Sequence, residues 1–226
     1  MIIDGGQSYD TVQPSRRLML KWAGAASVAL FSNALPNFGI SEALAADLGR
    51  GDIGILNYAY ALEQLEAAFY TMVISSPYKA ISRHEHSILT DIRNHEIAHR
   101  QFLKKALGAK AIPGLSVDFS AVNFKSRSSV LNTAKTFEDL GVSAYNGAGK
   151  LLKSGAYLLA AGKIVSVEAR HAATIRDLLE PNSTAFSGPD VVGKNGLDGA
   201  RSPGAVLKAA GPFIKTNVTA MHLAGV

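Results

Sequence analysis

The sequence predicts an all-α fold: a four-helix bundle with one long crossover connection, followed by a glycine-rich C-terminal tail. Apolar residues recur every three to four positions over four long segments, which is the spacing of amphipathic helices. No run of alternating β-branched residues competes with this pattern. The segments form two pairs, and the stretch between the pairs is long enough to cross the bundle.

The first helix is predicted over residues 52–74, where leucines, alanines and aromatic residues follow helical spacing. The second is predicted over about 82–107. Ser82 suits its N-cap and Glu85, three residues on, completes a capping box. Gly108 suits the C-terminal stop, because glycine readily adopts the left-handed backbone that ends many helices.

The third and fourth helices are predicted over residues 129–152 and 155–179. The connection that precedes them, residues 108–128, contains proline, glycine and many small polar residues. Residues 181–226 are rich in glycine and are expected to be loose, except for a short helix near 203–210 that packs on the bundle.

Residues 1–45 predict a cleaved export signal. Residues 15–21 contain two adjacent arginines and resemble the twin-arginine (Tat) consensus, and an apolar run at 22–35 follows. This run is too short for a stable transmembrane span of about 20 residues. Cleavage is expected after the small residues at 43–45, which leaves a bundle domain at 46–180 without a membrane anchor. An amphipathic helix or an uncleaved anchor is the alternative.

Composition excludes several classes of protein. The 226 residues, 47% of them hydrophobic, suffice for one well-buried core but not for two large domains. The absence of cysteine excludes thiolate metal sites, disulfide scaffolds and cysteine nucleophiles. The net charge of +5 is mild and its basic residues are scattered, so nucleic acid is not an expected partner. The Tat translocase is the expected partner during export, and the destination is periplasmic or otherwise extracytoplasmic.

Two motifs occur twice in the same order along the chain. In the first and third helices, Glu63 and Glu138 each precede a tyrosine by seven residues, Tyr70 and Tyr145. Seven residues are nearly two helical turns, so each glutamate shares a face with its tyrosine about 10 Å away. The second and fourth helices each carry Glu-x-x-His, which places an oxygen and a nitrogen ligand on neighbouring positions.

Buried carboxylates and imidazoles in this number are costly unless positive charge compensates them. Four glutamates balance the charge of two divalent metal ions. Di-metal bundles take one glutamate from each of two helices and a Glu-x-x-His pair from each of the other two. The predicted metal ligands are Glu63, Glu96, His99, Glu138, Glu168 and His171.

Three residues near the predicted ligands, Glu66, Tyr70 and Tyr145, each have two possible roles. Glu66 aligns with Gly141 in the repeat, so it is either an extra metal ligand or a solvated carboxylate. Tyr70 and Tyr145 either orient the ligand carboxylates through their hydroxyls or simply pack in the core. His95 is expected at the surface, directed about 100° away from the site because it precedes Glu96 by one residue.

With these motifs in place, the chain resembles the ferritin-like superfamily. It is most similar to the branch of Tat-exported bacterial ferritin-like proteins related to plant desiccation-related proteins. Residues 55–59, 137–145 and 167–173 carry the resemblance, which extends over about 47–215.

The resemblance implies that the six ligand positions bind two iron ions or, alternatively, two manganese ions. It implies an oxidoreductase that reacts the metal with O₂ or H₂O₂ in stress protection, and a homo-oligomer is compatible with it. The alternative is a non-catalytic stress or desiccation-related envelope protein whose metal site is structural or vestigial.

Overall fold

The computed structural model describes residues 45–223 and 225. All of the predicted export signal except its last residue therefore lies outside the described part of the chain. Within that part, none of the helices combines the length and the apolar character needed to cross a bilayer.

Helices dominate the described residues and confirm the predicted all-α fold with one long crossover. The five α-helices are α1 (Gly51–Ser75), α2 (Arg83–Leu107), α3 (Arg127–Gly149), α4 (Gly155–Leu179) and α5 (Pro203–Ala210). Single 3₁₀ turns are formed by Gly108–Lys110, Ala185–Ser187 and Gly211–Phe213. Two short strands, β1 (Ala46–Asp47) and β2 (Val218–Thr219), pair in parallel, with Ala46 opposite Val218.

The four long helices form two hairpins, because α1 packs along α2 and α3 packs along α4. The two hairpins meet mainly through α1 and α3, whereas α2 and α4 contact each other sparsely. The crossover between α2 and α3 is anchored by aromatic side chains. Phe119 and Phe124 lie 5.8 Å from the ring of Phe69, which also packs against Phe137 at 5.2 Å.

The helix ends follow the sequence signals with three differences. Ser82 caps α2 by accepting a hydrogen bond from the Glu85 amide at 3.0 Å, and Gly108 ends this helix with a φ of 56°. The Glu85 carboxylate binds Arg127 at 2.8 Å, so the other half of the capping box does not form. Helix α3 begins two residues earlier than predicted, because Ser126 rather than a later residue caps it, and it ends three residues earlier, at Gly149.

The C-terminal tail is ordered against the bundle rather than loose. The Arg201 amide donates to the Ser143 carbonyl of α3 at 2.9 Å. A Cβ atom at Gly147 would lie 1.7 Å from the Arg201 carbonyl oxygen, so only glycine allows the tail to pass this closely. The sequence showed the glycine but not the distant backbone that requires it.

A buried arginine also ties the tail to the bundle. Arg176 of α4 is 4% exposed and bonds the Asp139 carboxylate of α3 at 2.7 and 2.9 Å. Its guanidinium also donates to Asp190 in the tail at 2.8 Å. Arg176 therefore joins α3, α4 and the tail through two carboxylates, and it lowers the pKa of Asp190.

Candidate metal centre

The interior of the bundle brings together all six predicted ligand side chains, although the residues come from four helices. Helices α1 and α3 each contribute one glutamate, and α2 and α4 each contribute a Glu-x-x-His pair. The four glutamates are fully buried, and the exposed side-chain fractions of His99 and His171 are only 12% and 5%.

These side chains form two overlapping groups of four, and in each group one ligand atom per residue lies within 4.8 Å of the others. The first group is Glu63, Glu96, His99 and Glu168. The second group is Glu96, Glu138, Glu168 and His171. Glu96 and Glu168 belong to both groups, so two bound ions would share these carboxylates, whereas the other four residues lie at the two ends of the cluster.

The histidines approach the site through Nδ1. His99 Nδ1 lies 3.0 Å from a Glu168 oxygen, and His171 Nδ1 lies 2.8 Å from a Glu96 oxygen. His99 Nδ1 also lies 3.4 Å from Glu63, and His171 Nδ1 lies 3.4 Å from Glu138. Each histidine therefore approaches the glutamate of the opposite Glu-x-x-His pair, across the bundle.

Eight ligand atoms at this site are buried and make no hydrogen bond of normal geometry, although each histidine Nδ1 lies within 3.0 Å of a carboxylate oxygen. They are Glu63 Oε2, Glu138 Oε2, both carboxylate oxygens of Glu96 and of Glu168, and Nδ1 of His99 and of His171. In the part of the chain that the structure describes, only the hydroxyls of Tyr58 and Tyr78 share this condition. Unpartnered buried polar atoms are rare and costly. Carboxylate and imidazole donors suit iron and manganese, so the residues present fit two such ions.

Two tyrosines fix the end glutamates from across the bundle. Tyr145 of α3 donates its hydroxyl to Glu63 Oε1 of α1 at 2.5 Å, and Tyr70 of α1 donates to Glu138 Oε1 of α3 at 2.5 Å. The other carboxylate oxygen of each glutamate, Oε2, makes no hydrogen bond and faces a candidate ligand histidine. Burial raises the pKa of both tyrosines, which keeps them protonated as donors. Both tyrosines therefore belong to the buried core and also hold a carboxylate of the candidate site through the hydroxyl.

Burial and mutual repulsion change the protonation of the cluster. Burial raises the pKa of Glu63 to about 8 and that of Glu168 well above its ordinary value. For Glu96, burial is outweighed by the neighbouring histidines, which lower its pKa to about 2. Burial opposes the charge on His99 and His171, but the surrounding carboxylates raise their pKa values to about 12 and 10. Without metal, the cluster therefore holds several protons that bound cations would displace.

Glu66 is a fifth buried carboxylate beside the two groups. It is only 3% exposed, so the solvated alternative is wrong. A Cβ atom at Gly141 would lie 3.1 Å from both Glu66 Oε1 and Glu168 Oε2. The glycine that replaces a glutamate in the second half of the repeat therefore provides the space that Glu66 occupies. Burial, and then the charge of Glu168, raise the pKa of Glu66 well above its ordinary value.

His95 contacts a candidate ligand, and this contact was not predicted from the sequence. Its ring is exposed, as expected, but Nδ1 lies 3.0 Å from Nε2 of His171, and the two rings are nearly parallel. The expectation that it is directed away from the site is therefore wrong. The spacing of His95 from His99 could have indicated this contact, because residues four apart lie on the same face of a helix. A hydrogen bond to the outer nitrogen of a ligand histidine fixes the orientation of that ring.

Comparison with known proteins agrees with this architecture. Residues 51–181, more than half of the chain, match the family model of the ferritin-like domain. The match begins where α1 begins and includes all four long helices and all six candidate ligands. No curated protein matches the chain significantly.

Proposed function

The chain belongs to the ferritin-like domain family, and from this premise we propose that it is an exported protein with a centre of two iron or two manganese ions. The observation that carries this proposal is the set of eight buried, unpartnered ligand atoms in two overlapping groups. Four glutamates offset the charge of two divalent ions, which explains how so many carboxylates can be buried together.

The proposed activity is oxidation of ferrous iron by O₂ or consumption of H₂O₂. In the first reaction Fe²⁺ is the reductant of O₂. In the second, one H₂O₂ would be oxidised to O₂ while another is reduced to water, with the bound ions carrying the two electrons between them. Glu66 supports a centre whose charge changes, because it is a buried carboxyl with a raised pKa beside Glu168. It holds a proton while the centre is less positive, and it can release this proton when the positive charge increases. A metal site whose charge never changes does not need a neighbouring carboxyl group that can release a proton.

Access for a small reactant is on the side of His99. This residue lines a surface cleft between α2 and α4, whereas His171 is more enclosed. O₂ or H₂O₂ arriving from solvent would therefore meet the first group of ligands first. This opening favours a reactive centre over a purely structural one.

The signal predicted at residues 1–45 and the resemblance to desiccation-related proteins support export through the Tat translocase and a protective role outside the cytoplasm. The second candidate is a non-catalytic envelope protein with a structural or vestigial metal site. Its supporting observation is the complete burial of the four glutamates, two of which are also held by tyrosines.

Metal analysis of the purified protein tests the centre. Because the two groups of ligands overlap, substitutions at different ligands should leave different numbers of bound ions per chain. Wild-type protein should hold two ions per chain. His99→Ala disrupts the first group only, so about one ion should remain in the second. Glu168→Ala removes a ligand of both groups, and both ions should be lost. His222→Ala, an exposed control, should keep two ions.

A turnover assay with H₂O₂, and with Fe²⁺ and O₂, separates the two candidate functions. The reactive centre predicts consumption by the wild type and a loss of about tenfold or more in His99→Ala. Consumption by neither protein, with metal still bound to the wild type, would favour the structural site. Absence of metal, together with a thermal stability that chelation leaves unchanged, would refute the reactive centre and the structural site, and only a vestigial site would then remain.

A further inference from the structure

The two groups of ligands differ in what contacts the outer nitrogen of their histidine. His171 of the second group is hydrogen-bonded through Nε2 to Nδ1 of His95, at 3.0 Å. The planes of the two rings differ by only 4°. His95 is on α2 and His171 is on α4, so this hydrogen bond joins the two helices that otherwise contact each other sparsely.

The internal repeat provides no equivalent contact for the first group. His95 directly precedes the Glu-x-x-His pair of α2, and the matching position before the pair of α4 is Val167. Val167 lines the cleft beside His99, the histidine of the first group. A valine side chain has neither a donor nor an acceptor, so Val167 cannot hold the ring of His99 as His95 holds that of His171.

The chemistry of metal binding fixes the direction of this hydrogen bond. His171 directs Nδ1 toward the oxygens of Glu96 and Glu138, so an ion in the second group would take the lone pair of this nitrogen. A neutral imidazole then carries its proton on Nε2, which donates to Nδ1 of His95. His171 is only 4% exposed, so water has little access to replace this acceptor. An acceptor at position 95 therefore favours the orientation and the tautomer of His171 that bind a metal ion.

We propose that His95 is a positioning residue for the second group and makes it the tighter of the two ion positions, so that it fills first. The first group, whose histidine borders the cleft, fills second. This inference rests on the proposed function, because it requires that both groups bind an ion.

Calorimetric titration with Mn²⁺ tests the inference in two variants that each keep one group intact. His99→Ala retains the second group and His171→Ala retains the first. The single remaining site should bind Mn²⁺ more tightly in His99→Ala than in His171→Ala. Adding His95→Leu to His99→Ala should weaken Mn²⁺ binding by about tenfold. Adding it to His171→Ala should change the affinity by less than about twofold, because the partner ring of His95 is already absent.

An acceptor at position 95 should rescue binding. Asparagine and leucine are similar in size, but only the asparagine side chain has an oxygen that can replace Nδ1 of His95 as acceptor. In the His99→Ala background, His95→Asn should therefore bind Mn²⁺ about tenfold more tightly than His95→Leu. A purely structural role of His95 would not separate these two substitutions. His84→Leu, at an exposed position of the same helix, is the control and should not change the affinity.

Three results would overturn this inference alone: equal Mn²⁺ affinity of the two single-group variants, equal weakening by His95→Leu in both of them, or failure of His95→Asn to bind more tightly than His95→Leu. In each case the wild type would still bind two Mn²⁺ ions, and the proposed centre would stand. A wild-type protein that binds no Mn²⁺, Fe²⁺ or other divalent ion would overturn the inference together with the centre.

Discussion

The protonation of the buried cluster predicts that metal reverses the pH dependence of stability. The pKa of Glu63 is raised from 4.5 to about 8, so the folded protein keeps a proton that the unfolded chain loses above pH 4.5. His99 acts in the same direction above pH 6.5. Glu96, with a pKa lowered to about 2, acts in the opposite direction but only below pH 4.5. Between pH 5 and 7, the metal-free cluster therefore loses stability as the pH rises.

The magnitude follows from the protons involved. One proton kept only by the folded state changes the free energy of unfolding by about 1.4 kcal/mol per pH unit. Glu63 alone then lowers the stability of the metal-free protein by about 2–3 kcal/mol between pH 5 and 7. Glu168, whose pKa is also raised, adds to this loss. With metal bound, the same ligands are deprotonated in the folded state, so stability should rise over this range.

Urea unfolding at pH 5, 6 and 7 measures this difference, with Mn²⁺ present in one series and a chelator in the other. Groups far from the centre, such as Asp190 beside Arg176, contribute equally to both series and cancel in the comparison. The two stability curves should diverge as the pH rises. Parallel curves would refute the reasoning, because they would mean that metal binding displaces no protons from these side chains.

Substitutions at three glycines give further predictions. Gly141→Ala crowds Glu66, whose oxygen would lie 3.1 Å from the new Cβ, so metal affinity should fall about tenfold in a metal titration. Gly162→Ala, where a new Cβ atom would meet no side chain and no other element within 4 Å, is the control and should keep its affinity and gain about 1 kcal/mol of stability. Gly147→Ala places a Cβ atom 1.7 Å from the Arg201 carbonyl oxygen and should cost about 1–3 kcal/mol or more in urea unfolding. Unchanged unfolding would show that the tail is not held against α3.

The helices and the members of the site could be predicted because their signals are local. Helical periodicity identifies the four segments, and Glu-x-x-His places two ligands on one face of a helix. The repeat adds the non-local information, since Glu63 and Glu138 occupy matching positions in its two halves. His95 shows a local signal that was overlooked, because its four-residue spacing from His99 also places it on the site's face.

The remaining features depend on distant parts of the chain. Which histidine meets which glutamate across the bundle follows from how the hairpins pack, and no spacing within one helix encodes it. The same is true of Gly147, whose necessity depends on the passage of Arg201.

The departures from the repeat explain why the two halves of the centre differ. The internal repeat alone would make the two groups of ligands equivalent. His95 binds the outer nitrogen of His171 and so fixes the second group, whereas His99 of the first group borders the cleft between α2 and α4. Glu66 is present on α1 only, because the matching position on α3 is Gly141. In the proposed centre, the second group of ligands would therefore be held more rigidly, whereas the first group would be the one that an incoming molecule reaches.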